Sequence, residues 1–239
     1  MKNHRAEKDV TEVGEAKERL NQVEAAVSAA EAVDRAAAAE VKAKIDAIKG
    51  AKAGEGKAAA EEARKAYEQL TPEQKTFVDA ETFAGLEEAE EAYKKGKTFT
   101  SGDGKYKVLP SGNVTFQAPV QRDLTYVAVP NQVKKSGYLY KVVKISINAF
   151  KNCTRLKKVL VHKNIVSIGK CAFKNTPALK RLIILGKEVD SITSAFTGAG
   201  MTRGKDLTCE VPASRVNSYN IRFKKTGNLN AKAKVKKYS

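Results

Sequence analysis

The side chains that could do chemistry are few, and their spacing does not converge. His4 and His162 are the only histidines, hence the only ordinary side chains that change charge near neutral pH. His4 lies in a charged N-terminal stretch, and His162 directly follows an apolar run, as a solvated turn residue would. Residues 98–239 hold six carboxylates, of which Glu188 and Asp190 are the only close pair, placed where a turn gains a residue. Cys153, Cys171 and Cys209 form no C-x-x-C spacing and leave at least one thiol unpaired, so small buried core residues are expected at all three. There is no glycine-rich phosphate loop, no serine elbow and no paired-histidine motif. A reaction centre needs convergent acid, base, nucleophile or metal ligands. The expectation is a protein that is not an enzyme, with no cofactor and no metal.

The residues that do recur are basic. Lys157-Lys158 returns 23 residues later as Lys180-Arg181, and Lys151 returns as Lys174. Lys134 falls one such step before Lys157, and Arg203 one step after Lys180. If each step is one turn of stacked chain, these side chains stand on neighbouring rungs about 4.8 Å apart. Like charges opposed on adjacent strands are mildly destabilising. Such a column is either an anion site or a cost tolerated on a well-solvated edge. Lys134, Lys151, Lys157, Lys158, Lys174, Lys180 and Arg181 are therefore the candidate residues for binding an anionic partner.

The elements that would position them repeat with the same period. Ala-Phe pairs occur at Ala149-Phe150, Ala172-Phe173 and Ala195-Phe196. Ile145, Leu156, Val159 and Val161 return 23 residues on as Ile168, Leu179, Leu182 and Ile184. Ile192, however, follows Ile168 by 24, so the third copy gains one residue near Gly186 to Glu188 and loses it before Ala195. A repeat this short cannot bury its own apolar face and must stack on its neighbour. The Leu-x-x-Val-x-Val spacing predicts a short strand, and Ala-Phe-Lys-Asn a single tight turn. Upstream, Tyr106 to Leu109 and Val114 to Ala118 predict a β-hairpin that caps the first turn, and Leu124 to Val129 a further strand.

The wording I-x-x-I-x-x-x-A-F-x-N-C-x-x-L-K-x-V resembles the BspA-like, Treponema-type leucine-rich repeat of bacterial surface proteins. The likeness spans about residues 104 to 239, from Gly137-Tyr138 leading into Tyr140-Lys141-Val142 to the closing Leu207-Thr208-Cys209-Glu210-Val211-Pro212 and Tyr219. The resemblance implies a leucine-rich-repeat solenoid used for adhesion and binding, without shared catalytic residues.

Residues 1–97 hold 17 basic and 21 acidic side chains, whereas residues 98–239 hold 27 and 6. That contrast predicts two domains, 1–97 and 98–239, joined by a linker over Gly96 to Gly104. The first reads as an all-α bundle. One long helix covers about residues 11–49, with Leu20, Val23, Val27, Ala30, Ala37, Val41 and Ile48 as its seam. Thr71-Pro72-Glu73-Gln74 marks a later helix start. Ala63, Arg64, Ala66, Tyr67, Leu70, Thr71, Gln74, Lys75 and Val78 resemble a helical spacer module of Gram-positive surface proteins over about residues 36–95. The fold class is thus α+β in two domains, a helical bundle followed by a short β-rich solenoid with a hairpin cap.

The basic domain calls for an acidic neighbour. The expected partner is a host or bacterial surface protein or an acidic polysaccharide, with a purely structural spacer as the alternative. Nucleic acid is disfavoured, because Phe150, Phe173 and Phe196 sit at core positions rather than among the lysines. No apolar run reaches the ~18 residues of a membrane helix. No apolar stretch follows MKNHRAEKDV as a signal peptide would require, so an extracellular or cell-surface protein would be present here in mature or truncated form. A monomer is expected, with dimerisation through the first helix as the alternative.

Overall fold

The computed structural model describes residues 2–189, 191–201 and 206–238, with side chains from Glu12 onward except Ser191. His4 as a side chain, Asp190 and Arg203 therefore lie outside the described residues. A long N-terminal helix is followed by a strand-rich domain. Two compact units are present: residues 1–47 with 61–87, and residues 48–60 with 88–239.

Helix α1 runs Lys2–Ala47, α2 Gly56–Gln69, α3 Pro72–Lys75 and α4 Ala80–Ala92. In the first unit the later part of α1 buries Ala38, Val41 and Ile45, and Ala63, Val78 and Leu86 are buried with them. Two ion pairs on its surface, Lys42 to Asp79 and Lys44 to Glu62, each close at 2.5 Å. The expected helix start at Thr71 is a full capping box. Gln74 N–H donates to Thr71 Oγ1 at 3.2 Å, and Thr71 N–H donates to Gln74 Oε1 at 3.0 Å.

Among the described residues the second unit holds twelve strands. The N-terminal ones are β1 Thr98–Ser101, β2 Gly104–Val108, β3 Val114–Pro119, β4 Tyr126–Val129, β5 Gln132–Lys135 and β6 Tyr138–Ile145. The rest are β7 Lys158–Val161, β8 Ser167–Ile168, β9 Arg181–Ile184, β10 Ser191–Ile192, β11 Thr208–Val211 and β12 Lys234–Lys237, with helix α5 over Val216–Lys225 before the last. Gly96 to Gly104, expected to be a linker, is instead occupied by β1 and its turn, because Thr98 to Ser101 pair antiparallel with β2. Tyr93, on the turn after α4, is buried in this unit. Its hydroxyl donates to Leu139 O at 3.2 Å, and the Tyr140 hydroxyl donates to Ala92 O at 3.0 Å.

Two ladders organise the unit. One is β4-β7-β9-β11-β12, parallel throughout. In the other, β3, β6, β8 and β10 pair in parallel. The 23-residue step is literal between β7 and β9, where Val159 faces Leu182 and Val161 faces Ile184. Ile145 faces Ile168 at the same step, but Ile168 faces Ile192 at 24. The extra residue is thus taken up between rungs, as the sequence indicated. There the Tyr219 hydroxyl donates to Gly186 O at 2.7 Å and accepts from Val189 N–H at 3.1 Å, clamping the longer turn.

The tight turns between the ladders repeat their backbone as well as their side chains. Asn148, Cys171 and Ser194 take φ of 59°, 56° and 47°, and Asn152, Asn175 and Gly198 take 63°, 55° and 73°. Each trio is spaced by 23, at left-handed positions that asparagine and glycine tolerate best. Cys171 therefore sits in a turn, half-buried, and not in the core as expected, while Cys153 and Cys209 are buried.

The core is a column of rings. Phe150 and Phe173 stack with centroids 5.0 Å apart and planes 5° apart, and Phe173 and Phe196 at 5.4 Å and 7°. Phe116 of β3 continues the stack at one end and Phe223 of α5 at the other, at 5.2 Å each. Phe173 is fully buried between two rings, so truncation leaves a cavity that neighbours locked in register cannot fill. Phe173→Ala is expected to destabilise the chain by about 3–5 kcal/mol, and Phe173→Leu by markedly less. Urea denaturation monitored by tyrosine fluorescence measures both, and equal effects would mean that the column is not rigid.

Candidate functional site

Alternation along the β4-β7-β9-β11-β12 ladder decides what faces outward. Val127, Val129, Val159, Val161, Leu182 and Ile184 point into the core, which sends their neighbours to the other face. Register then aligns two outward rows. The first runs Tyr126, Lys158, Arg181, Thr208 and Lys234, and the second Ala128, Leu160, Ile183, Glu210 and Lys236. A basic row with one aromatic end lies beside a row that is apolar at one end and charged at the other.

The candidate cations do not all fall in one place. Lys158 and Arg181 are direct register partners. Lys157 and Lys180 precede them on the same rungs, with Lys180 N–H donating to Lys157 O at 2.9 Å. Lys151 and Lys174 stand one rung apart in the Ala-Phe-Lys-Asn turns, where Asn152 N–H donates to Lys174 O at 3.0 Å and Asn175 Nδ2 to Asn152 Oδ1 at 2.9 Å. They form a column separate from the strand row. Lys134 is in neither, because it lies on β5 in the antiparallel β5-β6 hairpin. The rung before Lys157 is supplied by Thr125, whose carbonyl accepts from both Lys157 and Lys158 N–H. Lys134 instead lines a cavity of about 340 Å³ with Ser101, Asp103, Tyr106, Tyr126 and Gln132. After Lys180 the next rung is Leu207 and Thr208, not a cation, since Thr208 N–H donates to Lys180 O.

Two of the cations are engaged within the face. Lys158 Nζ lies 5.2 Å from the centroid of the Tyr126 ring, a cation–π contact. Arg181 holds Glu210 by a two-pronged pair, Nε to Oε1 at 2.9 Å and Nη2 to Oε2 at 2.7 Å. Glu210 is 5% exposed and also has Lys236 Nζ at 3.7 Å. The Arg181 guanidinium and then Lys236 hold its carboxyl below the ordinary glutamate value, against the opposing effect of burial. Sequence reasoning missed Glu210, because its alternation with Cys209 says only that it points outward. Lys236 and Lys237 belong to β12 and pair with Glu210 and Val211 of β11. Tyr126 was legible only as part of a strand.

His162 is half-buried at the end of β7, with its N–H donated to Val129 O. Among the described residues no group of three or more histidine, cysteine, aspartate or glutamate side chains could hold a metal. No helix among them is long and apolar enough to cross a membrane. Burial pushes the Cys209 thiol up to about 12 and raises that of Cys153, while half-buried Cys171 stands in a turn.

Two outcomes follow from this geometry. Cys171 should react with a thiol reagent in the native protein well before Cys153 and Cys209, which should wait for unfolding; simultaneous reaction of all three would contradict the placement. The folded-state depression at Glu210 means that its stabilisation is full above the unfolded value near about 4.3 and is lost as pH falls through the lower folded value. Glu210→Gln should cost about 1–3 kcal/mol at pH 7, with the gap from wild type closing in acid. Urea titrations across pH check this, and a gap that persists in acid would show that the charge is not what stabilises.

No curated protein matches the chain. Among solved structures it is similar to a leucine rich cell surface protein from Faecalibacterium prausnitzii, at 19% identity over 53% of this chain and 29% of that one, with a TM-score of 0.35. It is also similar to the leucine rich repeat protein of T. pallidum, at 20% identity over 49% and 51%, with a TM-score of 0.40. A leucine-rich repeat protein from Bacteroides capillosus matches at 24% identity over 41% and 73%, with a TM-score of 0.33. The chain thus spans 29% of the length of the Faecalibacterium protein. The family model of the BspA type leucine rich repeat region matches residues 122–232, in six copies. The stacked rungs from Tyr126 to the end of α5 lie within that span, so this part of the chain matches the BspA-type leucine-rich repeat.

Proposed function

We propose that the chain is a non-catalytic binding protein of the bacterial surface or its surroundings, whose repeat region docks an anionic partner. In this reading the stacked turns form a solenoid closed on one side by the β2-β3 hairpin. The helices of residues 1–97 act as a spacer, and residues 98–239 do the binding. The single observation that carries it is the outward row of the parallel ladder. There Lys158 and Arg181 stand on adjacent rungs beside Tyr126, with Lys157 and Lys180 one residue before them, in a region with 27 basic against 6 acidic residues. Aligned cations flanked by an aromatic ring suit a polymer whose negative charges also repeat, an acidic polysaccharide above all. An acidic protein surface meets the same charge requirement.

A structural-spacer reading is favoured by one specific observation: Arg181 is already matched by Glu210, and Lys158 by Tyr126. Cations engaged within the face have less to offer a ligand.

The two readings separate in a binding titration of the full chain against heparin, used as a sulfated-glycan probe, over a range of salt concentrations. Each charge contact that releases a counterion contributes up to about 0.9 to the slope of log K against log salt, on the scale set by duplex DNA. Replacing Lys157, Lys158 and Lys180 by Gln is expected to flatten that slope by up to about 2–3. The same substitution at Lys224, Lys225 and Lys237 is expected to change it little. Loss of binding in the second set alone would move the site off the ladder, and absence of binding by wild type would leave the spacer reading.

A further inference from the structure

The apolar seam of α1 is covered in one half of the helix and bare in the other. Toward its C-terminal end, Ala38, Val41 and Ile45 are buried within the helical unit, and Asp34 accepts a hydrogen bond from Gln74 Nε2 at 3.1 Å. About three to seven turns earlier nothing among the described residues covers it. Every residue from Glu12 to Val33 is exposed, and Val13, Leu20, Val23 and Val27 are 53–58% exposed. Their spacing is heptad-like, with Val13, Leu20 and Val27 at steps of seven and Ala16, Val23 and Ala30 three residues after each. Alanine and glutamate dominate this segment, so propensity favours a helix, but a solvated helix gains most of its stability from packing of its apolar face. A helix of this kind is held by whatever covers its seam.

The charges beside the seam identify the occupant. We propose that residues 12–33 of α1 pair with the same residues of a second copy of this chain, as a parallel, in-register two-stranded coiled coil. With Val13, Leu20 and Val27 at position a, the flanking g positions are Glu12 and Arg19 and the flanking e positions are Lys17 and Glu24. In a parallel pair each g side chain meets the e side chain five residues on in the partner helix. Glu12 then meets Lys17 and Arg19 meets Glu24, each twice by symmetry, so four of the five charged e and g positions are matched and Glu31 stands opposite Ala26. An antiparallel pair with full overlap sets Lys17 against Glu24 but leaves Arg19 opposite Ala26 and Glu12 opposite Val33. In the single chain Arg19 pairs with Glu15 at 3.6 Å on the exposed helix surface, so its re-pairing displaces little. The seam stops at Asp34, where the helix turns to its own unit.

Sedimentation equilibrium of the full chain, over about 1 μM to 1 mM, tests this. Wild type is expected to pass from monomer to dimer. Leu20→Glu with Val27→Glu is expected to weaken the dimer at least about tenfold, since two carboxylates then enter each apolar layer, with the urea midpoint of the rest of the chain unchanged. An acidic variant, Lys17→Glu with Arg19→Glu, and a basic one, Glu12→Lys with Glu24→Lys, should each dimerise poorly alone and well when mixed. For orientation, Val13→Cys in a Cys171→Ser background should form an intermolecular disulfide readily. An antiparallel pair would hold the two thiols about 25 Å apart, given 1.5 Å per residue. A strict monomer, a dimer indifferent to the glutamates, a mixture that does not recover, or thiols that do not cross-link would each overturn the proposal.

Discussion

Backbone hydrogen bonding between successive turns is the constraint on which the strand-rich unit depends. Parallel rungs repeat at about 4.8 Å, a spacing set by N–H to C=O distance and not by side chains. A residue that recurs at the rung period is therefore placed on its copy whether or not the pair is favourable. For Phe150, Phe173 and Phe196 the result is favourable, because rings held 5.0 and 5.4 Å apart in near-parallel planes bury fully and exclude water. For Lys157 and Lys180 the same rule sets cation beside cation. The core and the charged face thus share one geometric origin.

The rung rule also dictates the turns. A turn can stack on the next only if both bend alike, so left-handed backbone recurs at Asn148, Cys171 and Ser194 and again at Asn152, Asn175 and Gly198. Gly169 shows how little room remains between rungs: a Cβ there would lie 2.4 Å from the backbone nitrogen of Ile147. Where a turn is longer, as between Ile168 and Ile192, a side chain from outside the repeat must bind the surplus, and the Tyr219 hydroxyl does so at Gly186 and Val189.

Much of this was legible in the sequence wherever the period was intact. The 23-residue step placed the Phe column, the Val159 and Leu182 pairing and the one-residue gain of the third copy, because periodicity and register are the same information. It failed where turns change length. Tyr126 pairs with Lys158 across 32 residues, and Thr208 with Arg181 across 27, so extrapolating 23 put Lys134 in a row that Thr125 and Tyr126 occupy. Phe116 and Phe223 were missed for the same reason, since they join the column from β3 and α5 without belonging to the repeat. The pairing of Arg181 with Glu210 could not be read either. It depends on which outward residues two rungs of unequal length bring together, and only the register supplies that. The Gly96 to Gly104 stretch had the composition of a linker, but its Thr-Phe-Thr-Ser core alternates like a strand and found one to pair with.

A ladder built by backbone spacing has no intrinsic reason to stop, because any open edge offers the next rung the same hydrogen bonds. Among the described residues β12 lies at one end of its ladder, and three of its four residues are Lys234, Lys236 and Lys237. A second β12 laid against it in the same sense would bring lysine rows into contact at strand spacing, with Lys236 already paired to Glu210. This edge is thereby guarded. Its lysines let the chain use a self-propagating architecture while opposing the end-to-end growth of one molecule on another that would lead to fibres.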